Sequence, residues 1–236
     1  QHGFARVASC TMRCSLADPA GNAEAVLRVA RTCHDRSAAL ALFPELALSG
    51  YAIDDLLLQD ALLETVHAQI RRIAADSEGL TPVLVFGAPI RHRNRLFNCA
   101  VVVKDGEVLG VAPKTYLPNY REFYEKRHFA SGVGLEGEYL TLPGLRRAQQ
   151  DQASAGPDGF EDDFEDELAD EIEVPFGPDL IFRATDLPDL ALHVEICEDM
   201  WVPVPPSAEA ASSSSGASAS ARPAACRTAA PALHHR

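Results

Sequence analysis

The stretch Leu96-Phe97-Asn98-Cys99-Ala100-Val101-Val102-Val103-Lys104-Asp105-Gly106-Glu107-Val108-Leu109-Gly110-Val111-Ala112-Pro113-Lys114 decides the fold class. Two apolar, β-branched runs flank an Asp-Gly pair, the strongest short-range signal for a hairpin. The second run delivers a lysine just past its end. Upstream, Phe4 to Thr11, Ala39 to Phe43 and Val83 to Ala88 read as further short buried strands. Between them, Asn22 to His34 places Ala25, Val26, Val29, Ala30 and Cys33 at helical spacing. Leu56 to Ala75 does the same with Leu62, Leu63, Val66, Ile70 and Ile73. A β-α-β-α-β start followed by a hairpin predicts an α/β protein with helices layered on a mixed sheet.

Composition narrows the function classes. The 236 residues carry a formal net charge of −13, but ten carboxylates lie between Asp158 and Glu173 with no basic residue among them. Acidity is therefore local, and no basic stripe points to nucleic acid. No run of roughly eighteen apolar residues suggests a membrane span. The start has no signal-peptide pattern, and six cysteines without a Cys-x-x-Cys pair fit a reducing cytoplasm. Cys10 and Cys99 read as core residues, and neither Cys nor His clusters at zinc-ligand spacing. Residues 146–173 read as an acidic, disordered insert. The Ala/Ser-rich tail 207–236 reads as low-complexity and disordered, like a reading frame translated out of register.

Three residues stand out chemically. Leu187 to Ile196 reads as an apolar strand ending in Cys197-Glu198-Asp199-Met200-Trp201. A thiol there can face a pocket from a rigid backbone, and its attack needs a nearby base and cation. Glu45, in Phe43-Pro44-Glu45-Leu46, and Lys114 offer those partners. All three follow the carboxyl end of an apolar strand, the edge at which open α/β sheets place their sites. Taken singly, each has an ordinary alternative: a core cysteine, a helix-entry carboxylate, an exposed loop lysine.

The extended blocks carry more. Phe43-Pro44-Glu45-Leu46 with Ser49-Gly50-Tyr51, then Pro113-Lys114, then Glu195-Ile196-Cys197-Glu198-Asp199 resemble the signature blocks of the nitrilase (carbon–nitrogen hydrolase) superfamily. Tyr51 to Gln59, Pro113 to Phe129 and Cys197 to Pro203 are most similar to the N-terminal glutaminase domain of bacterial glutamine-dependent NAD(+) synthetases. The resemblance spans about Phe4 to Pro206. It implies a nitrilase-like α-β-β-α sandwich over residues 1–206, incomplete at its C-terminus because the likeness stops soon after the nucleophile. It implies a cytoplasmic glutamine amidohydrolase that forms a thioester on Cys197, with Glu45 as base and Lys114 at the oxyanion. Glu122, eight residues past Lys114, is expected to match a second glutamate of the family. Tyr51, Tyr120 and Glu198 are expected at the substrate wall.

No cofactor is implied for the hydrolytic step. ATP and Mg belong to the family's synthetase domain, whose Ser-Gly-Gly-x-Asp-Ser loop is not in this sequence. The implied partners are glutamine, a synthetase domain or subunit that receives ammonia for NAD(+) synthesis, and further copies of the chain in a homo-oligomer. Two alternatives stand beside this one: another carbon–nitrogen hydrolase acting on a small amide or nitrile, and an inactive, truncated remnant.

Overall fold

Strands β1 (Val7–Ser9), β2 (Leu40–Leu42) and β3 (Val83–His92) pair in parallel, with helices α1 (Pro19–Asp35) and α2 (Asp60–Asp76) as the crossovers. The computed structural model describes residues 4–142, 172–185 and 190–214. Helix α1 starts three residues before Asn22, where the helical spacing was read to begin. Pro19 sits at the first helical position, and the Asp18 carboxylate accepts the Gly21 N–H at 3.0 Å. Strands β4 (Arg95–Lys104) and β5 (Glu107–Pro113) follow as the expected hairpin. Asp105 and Gly106 both take positive φ, 51° and 88°, as a two-residue turn matched to strand twist requires.

Strands β6 (Glu138–Leu142) and β7 (Ile172–Phe176) complete a seven-stranded sheet of order β1-β2-β3-β4-β5-β7-β6. Here the structure departs from expectation. Residues 143–171 of the acidic stretch lie outside the described residues. Ile172 and Glu173 do not belong to a disordered insert, because they open β7 and pair with Leu142 and Thr141. The reason is period-two burial: Val174 and Phe176 face the core on alternate positions, so the strand extends back to include their neighbours.

The sheet has two different faces. Leu84, Phe86, Ala88 and Ile90 of β3, with Phe97, Cys99, Val101 and Val103 of β4, pack against Val26, Leu27, Ala30, Val66, Ile70 and Ile73 of the two helices. The alternate residues Val85, Ala100 and Val102 face the other way. They meet Phe182 and Leu192 of a separate antiparallel pair, β8 (Ile181–Arg183) with β9 (Ala191–His193), together with Val194 and Ile196. The order of layers is thus helices, main sheet, then a second sheet.

The run read as a strand from Leu187 to Ile196 is shorter than expected. Residues 186–189 lie outside the described residues, and pairing ends at His193 because the partner β8 is only three residues long. The chain then leaves the ladder and enters a 3₁₀ turn, Cys197–Trp201. Beyond it, α3 (Pro206–Ser214) is helical where no helix was expected, past the boundary drawn at 206. Pro206 starts it, alanines favour it, and Ala210 is buried. Residues 215–236 of the tail lie outside the described residues. No described helix is long and apolar enough to cross a membrane.

Candidate active site

Glu45 is set by a close backbone approach. Phe43 N–H donates to Val85 O at 2.8 Å and Leu48 N–H to Gly87 O at 3.1 Å, so the segment after β2 lies directly on β3. A Cβ at Gly87 would fall 2.1 Å from the Leu46 nitrogen, so only glycine lets this segment so close. Lys114 is set by the hairpin. Its own N–H donates to Asn98 O at 2.8 Å, and its side chain turns inward to complete burial.

An isolated buried ammonium is costly, so the partners of Lys114 define the site. Its Nζ donates to Glu45 Oε1 at 2.7 Å and to Glu125 Oε1 at 2.8 Å. Burial alone would lower the Lys114 pKa. The Glu45 charge and hydrogen bonds to both glutamates overturn that, so it lies above its usual value and Lys114 stays an ammonium. Glu125 moves up as well. Burial outweighs the pull of Lys114 and Tyr51, and the like charge of Glu45 pushes the same way.

The second glutamate is therefore Glu125, not Glu122. Glu122 is exposed and lines a cavity of about 230 Å³ with Tyr51, Leu57, Glu125 and Phe129. The 3₁₀ turn Glu125–Arg127 rotates Glu125 inward, eleven residues past Lys114 rather than eight. That turn is tied to the segment after Glu45 at three points. Tyr51 Oη donates to Glu125 Oε1 at 2.6 Å, Tyr124 Oη to Asp54 Oδ1 at 2.6 Å, and the Arg127 guanidinium grips both Asp55 oxygens at 2.9 and 2.8 Å. The charged run from Arg121 to Arg127 is thus partly a set of tethers.

Cys197 opens its turn with φ +49°, a left-handed conformation that a non-glycine residue holds only under constraint. The thiol meets the field of the buried cluster. Burial raises its pKa first, the Glu45 charge adds to that, Lys114 opposes it, and the Glu125 charge raises it further. The resting group is a thiol, not a standing thiolate. The charges of Glu45, Lys114 and Glu125 all act on Cys197, which lies in the turn after β9 rather than at a strand end.

Tyr120 and Glu198 come together at the rim, where Tyr120 Oη donates to Glu198 Oε2 at 3.1 Å. Tyr120 is exposed and Glu198 half-buried, at the turn of Cys197.

Two buried polar residues were missed in the sequence reading. Asn98 Nδ2 donates to Glu45 Oε1 at 2.6 Å. A lone amide in the apolar run Leu96 to Val103 was the available signal. The Asp199 carboxylate accepts N–H groups of Thr115 at 3.0 Å, Tyr116 at 2.7 Å and Ile196 at 3.0 Å. Only 1% exposed, it ties the turn of Cys197 to the loop after Lys114. Burial raises its pKa, while the three N–H groups and Lys114 oppose that rise. Among the described residues no group of three or more His, Cys, Asp or Glu side chains is arranged to hold a metal ion.

Comparison with known proteins agrees with this geometry. The family model for carbon-nitrogen hydrolases matches residues 6–212. Glutamine-dependent NAD(+) synthetases of Mycobacterium bovis and Mycobacterium leprae are 52% and 51% identical over 211 and 209 residues, covering 89% of this chain. The chain spans 27% of the length of each of these relatives. A crystal structure of a glutamine-dependent NAD(+) synthetase from Cytophaga hutchinsonii shares the fold at a TM-score of 0.65 and 22% identity, over 82% of this chain and 28% of that one. Helices on a mixed sheet in the expected order, and a matched region running through every block quoted above, lead to one conclusion: the chain belongs to the carbon-nitrogen hydrolase family.

Proposed function

We propose that this chain hydrolyses the side-chain amide of glutamine to glutamate and ammonia. The observation that carries the reading is the Lys114 ammonium held between Glu45 and Glu125, with the charges of all three acting on the Cys197 thiol. The choice of glutamine rests on the relatives that cover 89% of the chain, which are glutamine-dependent synthetases.

In this mechanism Cys197 Sγ attacks the carboxamide carbon while Glu45 takes the thiol proton. The carbonyl π electrons move onto oxygen, and the buried Lys114 ammonium stabilises that oxyanion. On collapse the C–N bond breaks, and Glu45 hands its proton to the leaving nitrogen, which departs as ammonia. A thioester to Cys197 remains. Water then adds to it, giving one proton to Glu45. The C–S bond breaks, glutamate leaves, and the proton returns to sulfur. Glu125 holds Lys114 and Tyr51 in place, while Tyr120 and Glu198 form the rim. The step uses no cofactor. ATP and Mg serve a synthetase domain or subunit, which takes the ammonia to make NAD(+) from its deamido precursor.

The test is ammonia release by the purified chain from glutamine, compared with small aliphatic amides and nitriles. Glutamine is expected to be preferred, and Cys197→Ala to remove all activity. Preference for a small amide or nitrile would reassign the substrate. No release from any of them, with Cys197 intact, would leave a protein that only binds.

A further inference from the structure

Asn98 lies in the middle of β4, on the face that Ala100 and Val102 turn toward the second sheet, and is 1% exposed. It is hydrogen-bonded to both Lys114 and Glu45. The backbone oxygen takes the Lys114 N–H at 2.8 Å, and Nδ2 reaches Glu45 Oε1 at 2.6 Å. Lys114 Nζ ends on that same oxygen at 2.7 Å. The described hydrogen bonds to Glu45 from Asn98 and Lys114 therefore converge on Oε1. Asn98 Oδ1 is buried with no partner. A buried amide that leaves its acceptor unsatisfied forfeits stability, so the side chain is poorly explained as a packing element. An apolar residue of similar volume would suit the strand better.

We infer that Asn98 is a positioning residue, which locks one oxygen of Glu45 so that the other acts as the base toward Cys197. The inference rests on the glutaminase reading for its natural assay but not for its geometry. Lys114 alone leaves the carboxylate free to rotate about its contact. A second donor on the same oxygen removes that freedom.

The test uses Asn98→Ala and the volume-matched Asn98→Leu, each checked for a cooperative thermal transition. In ammonia release from glutamine, kcat is expected to fall about tenfold or more with KM within about twofold, as for an interaction made only in the transition state. A merely structural role would lower kcat only in proportion to the folded fraction. If a folded variant keeps the kcat of wild type, the inference is overturned.

Should the wild-type chain release no ammonia, the glutaminase reading fails, and alkylation of Cys197 by iodoacetamide across pH still decides this point. With Glu45 unlocked, the thiol loses a fixed anionic neighbour, and the profile at the Cys197 peptide moves to lower pH. Coincident profiles would dispose of the inference.

Discussion

Replacing Asp199 by alanine strips the acceptor from three backbone N–H groups at once, those of Thr115, Tyr116 and Ile196 at 3.0, 2.7 and 3.0 Å. The site is 1% exposed, so water does not substitute freely. Each buried donor left unpaired costs about 1–3 kcal/mol, and such costs combine less than additively within one network. A loss of about 3–6 kcal/mol follows, a large part of a typical stability of about 5–15 kcal/mol. Asp199→Asn separates the contributions. Its oxygen can keep the Thr115 and Tyr116 bonds, while its NH₂ faces the Ile196 N–H, donor against donor, for about 1–3 kcal/mol. Urea denaturation followed by emission of Trp201, the chain's one tryptophan and part of the same turn, reads both variants. Far-UV circular dichroism reports whether the global transition moves with it. The asparagine variant should fall between alanine and wild type. It should also lose glutaminase kcat by more than its folded fraction explains, because Cys197 holds its positive φ only while this turn is tied to the Lys114 loop. An alanine variant within about 0.5 kcal/mol of wild type, below the cost of even one unpaired donor, would refute the assignment of Asp199 as the tie.

Two further outcomes follow from the electrostatics of the cluster. Burial first, then the Glu45 charge, raises the Cys197 pKa, so Glu45→Gln should let the thiol ionise at lower pH while abolishing turnover. Alkylation of Cys197 across pH measures this, and an unmoved midpoint would count against the contact. Lys114→Met leaves the buried Glu125 and the partly buried Glu45 without their ammonium and should cost about 3–5 kcal/mol at neutral pH. Because the folded Lys114 pKa lies above its usual 10.5, the advantage of wild type over this variant is fully present below that pH. It declines only as pH rises through the folded value. Denaturation curves at pH 8 and at pH 11 on both proteins check the sign.

Much of the scaffold was legible because its signals are local. The Asp105-Gly106 turn needs two residues at positive φ, and the helical spacing in α1 and α2 is a property of single segments. The layered order follows from which of these segments are apolar on one face. Glu45 and Lys114 come together for a related reason: β2 and β5 lie in one sheet and bring their carboxyl ends to a common edge, however far apart they lie along the chain. Cys197 instead follows β9 of the second sheet.

What sequence could not decide was how side chains meet across elements. Glu122 and Glu125 sit in one charged run, and only the 3₁₀ turn with its tethers to Tyr51, Asp54 and Asp55 determines which of them reaches Lys114. The length of β9 was set by β8, since a ladder ends where its partner ends. Asn98 and Asp199 look ordinary in sequence because their roles depend on groups 53 and up to 84 positions away. The sequence by itself determined the order of elements from β1 to β5, because periodicity and turn chemistry are short-range. Tertiary structure alone decided which oxygen, which glutamate and which buried amide complete the site, because hydrogen bonds act through space over about 3 Å, and no spacing along the chain encodes that distance.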